Sequence, residues 1–355
     1  MSRFFSKKYG SLTPYVPGEQ PRDLSEYVKL NTNESPFPPS AKAVEYALSS
    51  TRALNLYSDP ESVLLTKALA STYGVEKDMV LATNGSDEIL NFAFMAFTDD
   101  TNPALFADIT YGFYPVFASL NGSKTEIIPL REDFTLSVDD YMGKKGTVFI
   151  ANPNAPTGIS LPVKEIERLL ESDRDRVVVV DEAYVDFGGE SAVGLVHKYD
   201  NLLVCQTFSK SRSFAGGRLG YGIGSPSLIA DLNTVKYSTN PYNINSMTSS
   251  MGIGILKDEE YMQKNCRIIM ENRDFTVKGL ERMGFRILPS SANFIFVSSD
   301  KIDGGEYYRK LKEKKILVRH FDKERISPWC RVSIGKREQM EAYLEATREI
   351  LEEKA

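Results

Sequence analysis

The chain has 355 residues, 42% hydrophobic and 26% charged, and a formal net charge of -5. That length buries a full core and exceeds the usual size of one domain, so two domains are expected, and the mild acidity excludes a nucleic-acid partner. The longest apolar runs, 92–97 and 177–180, are too short to cross a bilayer, and residues 1–8 contain no run of signal-peptide length, so the expectation is a cytoplasmic protein with no membrane partner. Cys205, Cys266 and Cys330 are widely separated, which argues against a disulfide framework or a zinc site. With only His197 and His320 present, no metal centre or histidine-dependent triad is expected.

Residues 1–40 are rich in proline and glycine and read as an arm. Helical spacing follows over 63–73, a β-rich run over 79–82, a helix over 87–97, strands over 104–107 and 147–150, and a helix over 161–171 with Pro162 at its start. Further strands are expected at 177–180 and 202–205, with another over the glycine-spaced 220–224. Alternation of this kind argues an α/β fold, a mostly parallel sheet with helices on both faces. From Lys257 the pattern changes to a long charged helix, 258–283, then strands at 294–297 and 316–318. The expected division is therefore an arm, 1–40, packing with a smaller α+β domain, 256–355, beside a large domain, 41–255.

In open α/β sheets ligands collect at the carboxyl ends of the strands, and here those ends carry polar groups. After the 79–82 run comes Asn84-Gly85-Ser86-Asp87-Glu88, a turn into a helix whose free N–H groups suit a phosphate, although the same pattern also caps an ordinary helix. After 104–107 comes Tyr111-Gly112-Phe113-Tyr114, a flat ring or simply core aromatics. After 147–150 comes Asn152-Pro153-Asn154-Ala155-Pro156-Thr157-Gly158, and a four-valine strand ends in Asp181-Glu182-Ala183-Tyr184. A carboxylate at the end of such a strand is costly to bury unless it has a partner. After 202–205 comes Thr207-Phe208-Ser209-Lys210, with Arg218 eight residues beyond the lysine. A lysine crowded by cations or partly desolvated is a nucleophile toward carbonyls.

Pyridoxal phosphate is the cofactor that uses this whole set: an aldehyde for Lys210, an acidic partner for its ring nitrogen in Asp181, and a phosphate. Tyr184 would donate to the ring oxygen and Tyr111 would stack on the ring. The backbone around Gly85, Ser86 and Asp87 would bind the phosphate together with Thr207, Ser209 and Arg218.

At these motifs the chain resembles the fold-type I, class II pyridoxal-phosphate aminotransferases. It is more closely similar to their histidinol-phosphate aminotransferase subfamily, through Thr13 to Gly18, Leu30 to Pro36, Tyr57-Ser58-Asp59-Pro60, Pro241 to Asn245, Ala292-Asn293-Phe294, Ile316 to Arg319 and Arg331 to Gly335. The resemblance covers nearly the whole chain. It implies transamination between histidinol phosphate and 2-oxoglutarate in histidine biosynthesis, and a homodimer whose Tyr57 reaches the neighbouring subunit's cofactor phosphate. It also implies that Arg331 clamps the acidic end of each substrate, assisted by Arg319 and Tyr15, with Asn33 on the substrate side. His320 matches no family residue. The family often carries a second asparagine immediately before Pro-Thr-Gly, where this chain has Ala155, which leaves Asn154 or a water as the candidate for bonding the ring oxygen. On the same fold, aromatic-amino-acid aminotransferase and threonine-phosphate decarboxylase are the alternatives. A nucleotide-binding oxidoreductase built on 220–224 lacks the full glycine fingerprint, and a non-catalytic regulator would not need Lys210.

Overall fold

The computed structural model describes residues 2–10 and 12–354; Met1, Ser11 and Ala355, which fall within the expected arm and small domain, lie outside the described residues. The strands in chain order are β1 (Val28–Lys29), β2 (Val80–Thr83), β3 (Ala104–Ala107), β4 (Thr125–Ile128), β5 (Thr147–Ala151), β6 (Val178–Asp181) and β7 (Leu202–Thr207). They continue with β8 (Gly220–Gly224), β9 (Phe285–Ile287), β10 (Phe294–Ser299), β11 (Ile316–Leu317), β12 (Arg319–His320) and β13 (Trp329–Ser333). The helices are α1 (Ala41–Ser50), α2 (Val63–Tyr73), α3 (Ser86–Phe97), α4 (Tyr114–Asn121), α5 (Val163–Ser172), α6 (Pro226–Thr239), α7 (Ser246–Leu256), α8 (Glu259–Arg282), α9 (Gly304–Glu313) and α10 (Arg337–Glu352).

Seven strands form the central sheet in the order β2-β8-β7-β6-β5-β3-β4. All of its neighbours pair in parallel except β8, which runs antiparallel to both β2 and β7. Both faces are buried: Val178, Val180, Leu202 and Val204 point into one apolar cluster, while Val179, Leu203, Cys205 and Phe149 point into another. This explains why these strands read as continuous apolar runs rather than alternating ones. A second sheet, β12-β13-β10-β9, is antiparallel and sits on its own core with α8, α9 and α10. The N-terminal segment joins this part of the molecule, since β1 pairs in parallel with β11.

Four strands extend past the ends read from their apolar runs, into Thr83, Ala151, Asp181 and Thr207. Polar or small residues end a hydrophobic pattern before they end a ladder, and these extensions reach the edge where the site lies. Because β8 runs against its neighbours, its amino end falls on that same edge: Gly220 is opposite both Thr83 and Thr207. Arg218 is thereby brought beside the carboxyl ends. The glycines of 220–224 are thus the interior of a strand packed under α3, and the nucleotide-loop reading of them is excluded. A Cβ on Gly220 would stand 2.3 Å from the Ser86 nitrogen. Gly220→Ala is accordingly expected to cost about 1–3 kcal/mol through overpacking and to weaken phosphate binding at the displaced Ser86 amide. Thermal unfolding together with a cofactor titration reads both, and unchanged affinity would mean that the α3 turn is not a phosphate seat.

Candidate active site

Two cavities meet at the carboxyl edge of the sheet. The first, about 320 Å³, is lined by Ser86, Asp87, Tyr111, Ala155, Asp181, Tyr184, Thr207, Ser209, Lys210 and Arg218, among others. The second, about 590 Å³, includes Tyr15, Asn33, Arg319, Phe321, Lys323 and Arg331. Thr32, Tyr111, Ala155, Tyr184 and Lys210 line both, so the lysine stands at their seam.

At the floor of the first cavity Asp181 ends β6. Burial is the dominant influence and pushes its carboxyl up to about 7, against the opposing hydrogen bonds from the Tyr114 hydroxyl (3.1 Å) and the Ala183 amide (3.2 Å). A carboxylate held this way favours a cationic partner. The neighbouring Glu182 is buried and also raised to about 7, but it is used structurally, accepting from Ser191, the Ala192 amide and Gln206.

The first turn of α3 lines the same cavity through Ser86 and Asp87. Gly85 precedes it at φ 78°, a left-handed conformation natural to glycine, and a Cβ there would sit 2.8 Å from Arg218 Nη2. The first-turn amides of a helix have no intrahelical acceptors, so Ser86 and Asp87 present N–H groups beside the Arg218 guanidinium and the Ser209 and Thr207 hydroxyls. Asp87 is occupied by Tyr111, whose hydroxyl donates to it at 2.6 Å, and by Arg218 at 3.5 Å. A glycine whose Cβ would collide with the guanidinium, first-turn amides, and a buried carboxylate lining the same cavity fit the phosphate and the ring nitrogen of pyridoxal phosphate.

Lys210 Nζ donates to the Thr32 carbonyl at 3.3 Å and lies 5.7 Å from the Tyr184 ring centroid. Asn33, buried at φ 55°, gives its side-chain amide to the Tyr184 hydroxyl at 3.1 Å, and its own amide and Oδ1 are both held by Ser333 Oγ at 2.8 Å. Asn33 thus lines the second cavity but spends its side chain on Tyr184 and β13. Thr32, Ser333 and Tyr114 fall within the motifs read from the sequence but receive no role of their own there. Only the last carried a signal, because a buried carboxylate calls for a donor.

In the second cavity Arg331 projects from β13. Its Nη2 donates to the Asn31 carbonyl at 3.1 Å, while its Nε is buried with no partner. Burial lowers the guanidinium from its ordinary value. Arg319 donates to the Val16 and Pro17 carbonyls. Tyr15 packs on Phe113 at 4.4 Å. The lining includes the four cations Lys210, Arg319, Lys323 and Arg331 and no carboxylate among the described residues.

Three expected cofactor residues do not line either cavity: Gly85, which sits directly before α3, Asn154 and Tyr57. Asn154 has its side chain fully engaged within its own turn and beside it, donating to the Ile109 carbonyl and Thr157 and accepting from Thr110. Ala155 lines the cavity and Asn154 does not. Tyr57 is 84% exposed and stacked on Tyr242 at 4.7 Å. His320 faces the Ser327 carbonyl, away from the chemistry.

Fold and site together define an aminotransferase-type enzyme. The sequence profile of the family "Aminotransferase class I and II" matches residues 25–346, and the chain belongs to that family. A histidinol-phosphate aminotransferase of Clostridium botulinum (strain Okra / Type B1) is 43% identical over 352 residues, 99% of each chain. One from Acinetobacter baumannii (strain AYE) is 46% identical over 341 residues, 95% of this chain and 94% of the other. Among solved structures, histidinol-phosphate aminotransferase from Sinorhizobium meliloti, in complex with pyridoxal-5'-phosphate, shares the fold at TM-score 0.88 and 20% identity, covering 100% of this chain and 99% of that one. The L-threonine-O-3-phosphate decarboxylase of Porphyromonas gingivalis shares it at TM-score 0.80 and 21% identity, over 91% and 99%.

Proposed function

We propose that the protein is a pyridoxal-phosphate-dependent transaminase that moves the amino group of histidinol phosphate to 2-oxoglutarate, yielding imidazole acetol phosphate and glutamate. The observation that carries this reading is the placement of Lys210 between a cofactor-shaped cavity and a second cavity of cations without carboxylates. Both substrates present an anionic end, a phosphate in one case and a carboxylate in the other, and such a lining suits both.

When bound, pyridoxal phosphate supplies an electrophilic aldehyde and a ring that draws electrons from the substrate's amine-bearing carbon. Asp181 would hold the ring nitrogen and stabilise its proton. Tyr184 donates its hydroxyl to the ring oxygen, the sole side chain for that task once Asn154 is turned away. Tyr111 would stack on the ring, and Gly85, Ser86, Asp87, Thr207, Ser209 and Arg218 would hold the phosphate. Lys210 Nζ would serve as the general base and acid that holds and moves the proton of the amine-bearing carbon. Arg331 would clamp the anionic end of either substrate through its guanidinium, and Arg319 and Tyr15 line the same cavity.

A homodimer with shared sites belongs to the same proposal. Leu54, Leu56, Tyr57 and Leu64 are all exposed, and such an apolar set on one segment suits a second copy whose cofactor phosphate Tyr57 would reach. The arm (1–40), large domain (41–255) and small domain (256–355) are proposed as its structural units. Among the described residues no helix is long and apolar enough to cross a membrane, and three free, buried cysteines fit a reducing, cytoplasmic compartment.

Purified protein assayed with histidinol phosphate, phenylalanine and threonine phosphate tests the substrate. The highest kcat/KM is expected with histidinol phosphate; a preference for phenylalanine, or carbon dioxide release from threonine phosphate, would overturn it. Arg331→Gln should lower kcat/KM for both substrates by about 10²-fold, the usual order for unpairing a buried charge, with unchanged cofactor affinity. An effect on cofactor binding alone would place Arg331 outside the substrate clamp.

A further inference from the structure

We propose that Tyr114 is a positioning residue for cofactor chemistry: its hydroxyl orients the Asp181 carboxylate toward the ring nitrogen while leaving its negative charge intact. The inference rests on the reading of Asp181 as the ring-nitrogen partner.

Tyr114 opens α4 and is fully buried. Its ring lies in an aromatic cage, 6.3 Å from Phe94, 5.7 Å from Phe106 and 5.9 Å from Phe149. Phenylalanine would fill that cage equally well. A hydroxyl there costs desolvation unless it is partnered, and its partner is Asp181 Oδ2 at 3.1 Å. The Ala183 amide holds the other oxygen at 3.2 Å. One donor on each oxygen fixes the plane of the carboxylate within the cavity that Asp181 lines.

The donor's chemistry matters as much as its place. An ammonium or guanidinium at this position would cancel the charge of Asp181 and with it the pull on a ring-nitrogen proton. A phenol donates a hydrogen bond and stays neutral, so the full charge remains for the cofactor. The same ring meets Tyr111 edge-on, with centroids 5.7 Å apart and planes at 87°, and so also sets the angle of the stacking ring. One buried side chain thereby fixes two of the surfaces that would contact the cofactor.

Tyr114→Phe removes only the oxygen. Titration of the ligand-free protein with pyridoxal phosphate should show Kd raised about tenfold, the order expected for removing a hydrogen bond to a charged group, and kcat should fall by about the same factor. KM for the amino donor and the keto acid should stay within about twofold, because the Arg331 side is untouched. In an Asp181→Asn background the same change should alter Kd by less than about twofold, since the charge it supports is gone. Unchanged Kd and kcat in Tyr114→Phe, or an equal loss in both backgrounds, would reduce Tyr114 to packing and overturn the proposal. Wild-type protein that fails to bind pyridoxal phosphate would instead overturn the reading of the whole site.

Discussion

Lys210→Ala is expected to abolish transamination, with kcat falling by roughly 10⁴-fold or more, the upper range for a positioned proton-transfer group. The geometry makes the lysine hard to replace. Its amine is the one group lining both cavities that can act as a nitrogen nucleophile and then as a base. Tyr184, the other titratable group near the seam apart from Tyr111, has its hydroxyl bound to Asn33. The binding elements are on other strands: the α3 turn, Asp181 and Arg218 do not depend on Lys210. The variant should therefore still take up pyridoxal phosphate, with a visible spectrum shifted from that of the wild-type holoprotein. Loss of turnover with retained cofactor separates a chemical role from a structural one. Retained full turnover would sink the assignment of Lys210, and loss of both fold and cofactor would mean that its bond to the Thr32 carbonyl holds the site together.

How much of this is legible in the sequence follows from the range of the interactions. Strand ends are local: an apolar run that stops at Thr83, Asp181 or Thr207 announces its own polar end, so the cofactor residues there can be named in order along the chain. Arg218 is legible as a charge near Lys210, but the reason it reaches the carboxyl edge of the sheet is that β8 reverses direction, a property of the sheet. Asn154 lies outside the first cavity's lining, with its side chain bonded to the Ile109 carbonyl and the Thr110 and Thr157 hydroxyls, partners that only the folded turn brings together. Asn33 and Tyr114 depend on interactions that no local pattern encodes. Asn33 is pinned by Ser333, 300 residues away in sequence, and Tyr114 reaches Asp181 across 67. The expected domain boundaries follow from a change of pattern, yet β1 pairing with β11 is a tertiary fact with no signature in Val28 and Lys29 themselves.

Asp181→Asn should lose about 10²–10³ in kcat, the equivalent of roughly 3–4 kcal/mol for breaking a buried charge interaction, while the ligand-free protein becomes more stable at pH 8. The two effects have one cause. In the ligand-free chain burial raises the Asp181 carboxyl to about 7, far above the ordinary range of an aspartate. A carboxyl whose folded pKa lies above its unfolded one favours folding fully below the unfolded value, and that contribution is lost as pH rises through about 7. At pH 8 the folded protein carries a buried charge whose cost is on the order of a few kcal/mol. Asparagine carries none. It keeps one acceptor for the Ala183 amide, and the Tyr114 hydroxyl can turn to accept from its amide nitrogen. Thermal unfolding of the ligand-free variant should therefore exceed wild type by several degrees at pH 8, on the scale of about 2–4 °C per kcal/mol for domains of 150–250 residues, with the gap closing toward pH 4. Adding pyridoxal phosphate should reverse the order, because only the carboxylate gains from a cationic ring nitrogen. A structural carboxylate would behave oppositely: its amide variant would be less stable without cofactor and would keep its rate. A buried charge that destabilises the empty protein and stabilises the loaded one is held there for the cofactor.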